Sequence, residues 1–122
     1  MTKKCILIIE DEPDILMLYK EFLAGAGFDV TTATNGEEGL TKIQEKKYDL
    51  ILMDVMMPKV DGLGVLQTLK DAGKKMPTIV MLSNLSHDEA VKEALALGAK
   101  DYVIKSEVNP DQLLEKIKKY LD

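Results

Sequence analysis

The chain has 122 residues, 46% of them hydrophobic, and a formal net charge of −5; that suits one domain with a modest core and excludes a disordered chain. All sixteen basic residues are Lys, with one Cys and one His. The absence of Arg argues against direct DNA recognition by this domain, and the Cys and His count argues against an internal disulfide or a zinc site. No stretch has the length and apolarity of a membrane span, and Met1-Thr2-Lys3-Lys4 leads into a short apolar run without a signal-type cleavage site, so a cytoplasmic protein is expected.

The first strand is predicted over Lys4–Ile9, with Cys5 expected as a buried, inert thiol, and it ends in Glu10-Asp11-Glu12. Ile15, Leu18, Tyr19, Phe22 and Leu23 then follow the i, i+3, i+4, i+7 rhythm of a helix, with Pro13 in its first turn and Gly25 and Gly27 at its end. A second strand is predicted over Asp29–Thr32. Thr34-Asn35-Gly36 reads as a turn into a helix that carries Glu37 and Glu38 early and uses Leu40 and Ile43. The third strand, Leu50–Met53, is an unbroken apolar run of the kind buried on both faces, and it ends at Asp54 before Val55-Met56-Met57-Pro58. A third helix follows Asp61-Gly62 and uses Val65, Leu66 and Leu69. The fourth strand is predicted over Thr78–Leu82, with Ser83 at its end. Ser86 is the expected cap of a fourth helix, with Asp88 and Glu89 in its first turn, Val91, Ala94 and Leu95 facing inward, and His87 exposed. The fifth strand, Tyr102–Ile104, ends in Lys105. The last helix starts near Asn109-Pro110 and carries an apolar stripe of Leu113, Leu114, Ile117 and Leu121.

Five strand–helix units imply an α/β fold: a five-stranded parallel, doubly wound sheet with helices on both faces, formed as one domain over residues 1–122. The chain ends with the fifth helix, so a single-domain protein is expected. In such a sheet, ligands bind beyond the carboxyl ends of the strands. Those ends carry Glu10 and Asp11, Asp54, Ser83 and Lys105. Each has an ordinary fate taken alone: the acids as helix caps, Ser83 in a turn, Lys105 in solvent, Tyr102 as packing, Met56 and Met57 as core. Carboxylates delivered to one edge by two buried strands suit a hard cation.

This constellation, with "ILIIEDEPDIL", "DLILMDVMMPKVDG", "TIVMLSN" and "GAKDYVIKS" around it, resembles the receiver domain of bacterial two-component response regulators along the whole chain. The resemblance implies a flavodoxin-like strand order, 2-1-3-4-5. It implies Mg²⁺ (or Mn²⁺) bound directly by Asp11, Asp54 and the backbone carbonyl of Met56, with Glu10 acting through water. It implies Asp54 as the phosphoacceptor, Lys105 and Ser83 on the phosphoryl oxygens, and Ser83 with Tyr102 as the switch. Tyr102 is then expected to rotate into space vacated by Ser83. The implied partners are a sensor histidine kinase or phosphotransfer protein and an effector that reads the surface of the fourth helix, fifth strand and fifth helix. Such a protein is a switch rather than an enzyme, promoting only its own phosphorylation and dephosphorylation; whether two copies then pair stays open. A phosphorylation-independent pseudo-receiver is the alternative. A flavin protein is disfavoured, because "EDEPD" stands where a Gly-rich phosphate loop would be needed.

The chain departs from the family's pattern in places. Receivers usually carry Pro, often in a cis bond, after the Lys that matches Lys105; here Ser106 follows. A cis bond without Pro costs about 2.5–4 kcal/mol, so a trans bond is expected. Glu10-Asp11 replaces the commoner Asp-Asp pair, and Ser83 replaces Thr. Met56 and Leu85, which flank the phosphoryl position, have no group to orient an attacking water, and slow self-dephosphorylation is expected.

Overall fold

A computed structural model describes residues 3–121. Its elements alternate along the chain: β1 (Cys5–Ile9), α1 (Pro13–Gly25), β2 (Asp29–Ala33), α2 (Gly36–Glu45), β3 (Leu50–Met53), α3 (Gly62–Asp71), β4 (Ile79–Ser83), α4 (Asp88–Ala96), β5 (Asp101–Ile104) and α5 (Pro110–Leu121), with a 3-10 turn at Lys105–Glu107 after β5. The strands form one five-stranded sheet in the order β2-β1-β3-β4-β5, every pair parallel. This is the flavodoxin-like order.

Alternation along each strand divides the core into two layers. Ile6, Ile8, Leu50, Leu52, Val80 and Leu82 meet Tyr19 and Leu23 of α1 and Leu113, Ile117 and Leu121 of α5. Leu7, Ile9, Ile51, Met53, Ile79 and Met81 meet Val65 and Leu66 of α3 and Ala94 of α4, with Leu40 and Ile43 of α2 packed alongside. Both faces are covered, which is why the central strands are continuous apolar runs.

Several sequence expectations move. β1 starts at Cys5, β2 reaches Ala33, β4 is shifted by one residue, and β5 begins at Asp101. Leu18 is 52% exposed and Leu95 44% exposed. Leu18 lies at the margin of a stripe centred on Tyr19 and Leu23. On α4 the inward residues are Ala90 and Ala94, whose small side chains let the helix lie close to the sheet. The residue at the N-cap of α4 is His87, which makes no side-chain cap bond, and Ser86 lies outside the helix. Cys5 is half-buried rather than buried, at the outer end of β1, where the Lys46 ammonium donates to its sulfur at 3.9 Å. The other helix starts follow their caps. Asn35 Oδ1 accepts from Glu38 N–H at 2.8 Å, Asp61 Oδ1 from Gly64 N–H at 2.7 Å, and Asn109 Oδ1 from Gln112 N–H at 2.8 Å. No described helix is long and apolar enough to cross a membrane.

Candidate functional site

Among the described residues, four polar or charged side chains are buried: Glu10, Asp54, Ser83 and Lys105. All four sit at the carboxyl edge of the sheet. Register brings them together. Ile9 pairs with Met53, so Glu10 and Asp54 leave their strands level with one another. The ladder runs one step further, with Glu10 N–H donating to Ala33 O at 3.0 Å and Asp54 N–H to Ile9 O at 3.1 Å. Ser83 pairs with Ile104, which sets Lys105 one residue beyond it.

The Lys105 ammonium donates to Asp54 Oδ2 at 2.8 Å and forms an ion pair with Glu10. Glu10 Oε2 also accepts from Glu12 N–H at 3.1 Å, and Asp54 Oδ1 accepts from Met56 N–H at 3.3 Å. Ile8, Tyr19, Leu52 and Leu82 floor the cluster with apolar surface. Burial against that floor pushes the Glu10 carboxyl up to about 7, despite Lys105 and the Glu12 amide, which pull it down. Burial alone would lower the Lys105 ammonium, but its bonds to Asp54 and Glu10 outweigh burial and hold it above its ordinary value.

Asp11 is half-buried, and its Oδ1 atom is buried with no hydrogen-bond partner. Carboxylate oxygens of Glu10, Asp11 and Asp54 lie within 4.8 Å of one another. An orphaned buried acceptor beside two further carboxylates is the donor set of a hard divalent cation. Three carboxylates face one ammonium, so the cluster keeps an excess of negative charge for such an ion to meet. Met56 itself is 64% exposed, so it is not core.

Ser83 Oγ accepts from Leu85 N–H at 3.2 Å. The hydroxyl of half-buried Tyr102 donates to Leu85 O and lies beside Ser83, and burial raises its pKa above the ordinary phenol value. Tyr102 packs on the core with its ring beside the β4–α4 loop. The Lys105–Ser106 bond is trans. His87 is exposed.

Two contributors were not singled out in the sequence. A Cβ on Gly62 would stand 2.3 Å from the Asp54 carbonyl oxygen, so only glycine lets α3 start against the β3–α3 loop. Asn84 Oδ1 accepts from Ser106 N–H at 2.9 Å and ties the β4–α4 loop to the loop that carries Lys105. The Asp61-Gly62 pair was visible as a helix start, but nothing local signals the contact of Asn84 across 22 residues. A cavity of about 620 Å³ lies at the opposite edge of the sheet, between Tyr48, Leu69 and Met76, away from the carboxylates.

The family model for the response regulator receiver domain matches residues 6–118. Among curated proteins, the chain is 43% identical over 105 residues to the alkaline phosphatase synthesis transcriptional regulatory protein PhoP of Bacillus subtilis, a match covering 86% of this chain and 43% of that protein. It is 40% identical to the probable transcriptional regulator ycf27 of Cyanophora paradoxa, covering 99% of this chain and 49% of the relative. The chain therefore spans less than half the length of these relatives. Among solved structures, a CheY-like response regulator receiver domain protein from Methanospirillum hungatei superposes with a TM-score of 0.91 at 34% identity, covering 99% of this chain and 95% of that one. The response regulator TrrA of Thermotoga maritima, solved in complex with Mg²⁺-BeF, gives a TM-score of 0.84 at 42% identity, covering 97% and 99%. With a family match that runs from the first strand into the last helix, the chain belongs to the response regulator receiver domain family.

Proposed function

We propose that residues 1–122 form one receiver domain working as a phosphorylation-driven switch, with Asp54 as the phosphoacceptor. The observation that carries this is the setting of Asp54: buried, held by Lys105 at 2.8 Å, and beside the orphaned Asp11 oxygen. A carboxylate oxygen of Asp54 attacks phosphorus. The new O–P bond forms as the N–P bond of a phosphohistidine on a kinase or phosphotransfer protein breaks, and the imidazole nitrogen keeps the electron pair. Lys105 is already charged and in place, so it meets the oxygens of the incoming group without a proton being moved. The Ser83 hydroxyl, free to turn its proton toward the site, donates to one of those oxygens. Glu10, Asp11, Asp54 and the Met56 carbonyl are the groups that would hold Mg²⁺ or Mn²⁺, and that ion, when bound, supplies neutralising charge at the phosphoryl oxygens.

The signal leaves through hydrogen bonds. Ser83 shifting toward Asp54 pulls on Leu85, whose carbonyl holds Tyr102 on β5. That alters the face of α4, β5 and α5, where Leu95 is exposed and Tyr120 donates to Asp101 at 2.9 Å. An effector protein or domain reads this face.

The test is intact-protein mass after incubation with Mg²⁺ and acetyl phosphate. Gain of one phosphoryl group by the wild type, and none by Asp54→Ala, is the expected result. No gain in the wild type, with no Mg²⁺ binding, moves the protein to a phosphorylation-independent interaction module.

A further inference from the structure

We propose that Asn84 is a positioning residue for Lys105, acting through the backbone amide of Ser106, and that it couples the Ser83 loop to the Lys105 loop. Lys105 opens a 3-10 turn, Lys105–Glu107. The first N–H groups of such a turn have no partner within it and take an outside acceptor or water; Ser106 is exposed, so Asn84 holds this N–H in place of water. The residue before the turn is Ile104, which has no polar side chain and makes no cap bond. Asn84 fills that role from another loop, taking the Ser106 N–H at 2.9 Å. The Lys105 side chain anchors the start of the turn through Asp54 and Glu10, but the backbone bond that closes it, Val108 N–H to Lys105 O, is 3.4 Å long.

The need for this acceptor follows from the residue at position 106. A proline there would have no N–H to satisfy and a fixed φ to stiffen the turn. Ser106 has neither property, and Asn84 replaces the missing restraint with a hydrogen bond. The bond has a second effect, because three consecutive residues are each tied to a different place. Ser83 Oγ accepts from Leu85 N–H, Asn84 Oδ1 accepts from Ser106 N–H, and Leu85 O accepts from the Tyr102 hydroxyl. A shift of Ser83 therefore pulls on the Lys105 loop as well as on Tyr102.

The rate part of the test rests on the phosphoacceptor role of Asp54; the structural part does not. Amide hydrogen exchange at Ser106 is measured in wild type, Asn84→Ala and Asn84→Asp, and phosphorylation by acetyl phosphate with Mg²⁺ is timed in wild type, Asn84→Ala, Ser106→Pro and the double variant. Asn84→Ala is expected to speed Ser106 exchange and slow phosphorylation, each by roughly three- to ten-fold, as loss of one hydrogen bond does. Asn84→Asp keeps the acceptor and restores protection. Ser106→Pro removes the donor, so the double variant is no slower than Ser106→Pro alone. Unchanged exchange in Asn84→Ala, or rate losses that multiply in the double variant, overturns the proposal. If the wild type takes up no phosphoryl group, the phosphoacceptor reading fails, and Ser106 exchange still decides the role of Asn84.

Discussion

Asp11→Asn tests whether the cluster is built for a cation or for stability. The oxygens of Glu10, Asp11 and Asp54 lie within 4.8 Å of one another. At that separation and an effective dielectric of about 20, each like-charge pair costs about 3.5 kcal/mol before relief. Two things reduce the figure. Burial pushes the Glu10 carboxyl up, which weakens its repulsion near neutral pH. Asp11 is half-buried, so water screens its charge, and Lys105 offsets part of the remainder. A net gain of about 1–2 kcal/mol for the neutral isostere in the absence of metal is expected. The assay is urea unfolding at neutral pH, in EDTA and in Mg²⁺. Wild type should gain about 2.7 kcal/mol when Mg²⁺ stands at 100 times its dissociation constant, and Asp11→Asn should lose most of that gain. A variant less stable than wild type in EDTA, or one that keeps the full Mg²⁺ increment, would refute the reasoning.

Glu10 gives a pH signature. Its folded value, about 7, lies above the ordinary 4.5. The folded state therefore binds more protons than the unfolded state across that window, and metal-free stability falls as pH rises from about 4.5 to 7. Glu10→Gln should flatten this part of the profile in EDTA; an unchanged slope would remove Glu10 as its source. Gly62→Ala places a methyl group 2.3 Å from the Asp54 carbonyl and should cost more than about 2 kcal/mol in urea unfolding, with slowed phosphorylation. Lys59 holds φ at 68°, a conformation costly for any residue with a Cβ, so Lys59→Gly should gain about 0.5–1 kcal/mol by the same assay. Met56 and Leu85 offer no polar group to an attacking water, so Met56→Asn or Leu85→Glu should shorten the lifetime of phospho-Asp54; identical half-lives would count against the expected slow hydrolysis.

The fold was legible because the sheet is covered on both faces. Leu50–Met53 and Cys5–Ile9 had to be continuous apolar runs, and such runs stand out from the helical rhythm around them. The site was legible for a related reason. An acid closing a buried strand has nowhere to point except the carboxyl edge, and Glu10 and Asp54 both do so. Helix faces were less legible. Leu18 and Leu95 fit the apolar rhythm yet face outward, because the width of a buried stripe depends on what the helix packs against. Ser86 is a good cap residue, yet the chain turns into α4 one residue later, so local preference gave way to the path of the loop. The position of Tyr102 depends on the Leu85 carbonyl in another loop, and sequence spacing carries no such information.

The edge is assembled against the usual rules of stability. Burying Glu10 and Asp54 is tolerable only because one ammonium reaches both, and removing either side of a buried pair leaves a charge that water no longer solvates. Lys105 does not finish the task, since Asp11 still points an unpartnered oxygen into the same space. A fully neutralised edge would make the domain more stable and leave a cation nothing to gain there. The excess of carboxylate over ammonium thus leaves stability ungained at this edge. Asn84 and Leu85 connect the strand end at Ser83 to the Lys105 loop and to Tyr102, so two loops are tied by hydrogen bonds to the strand end beside Asp54.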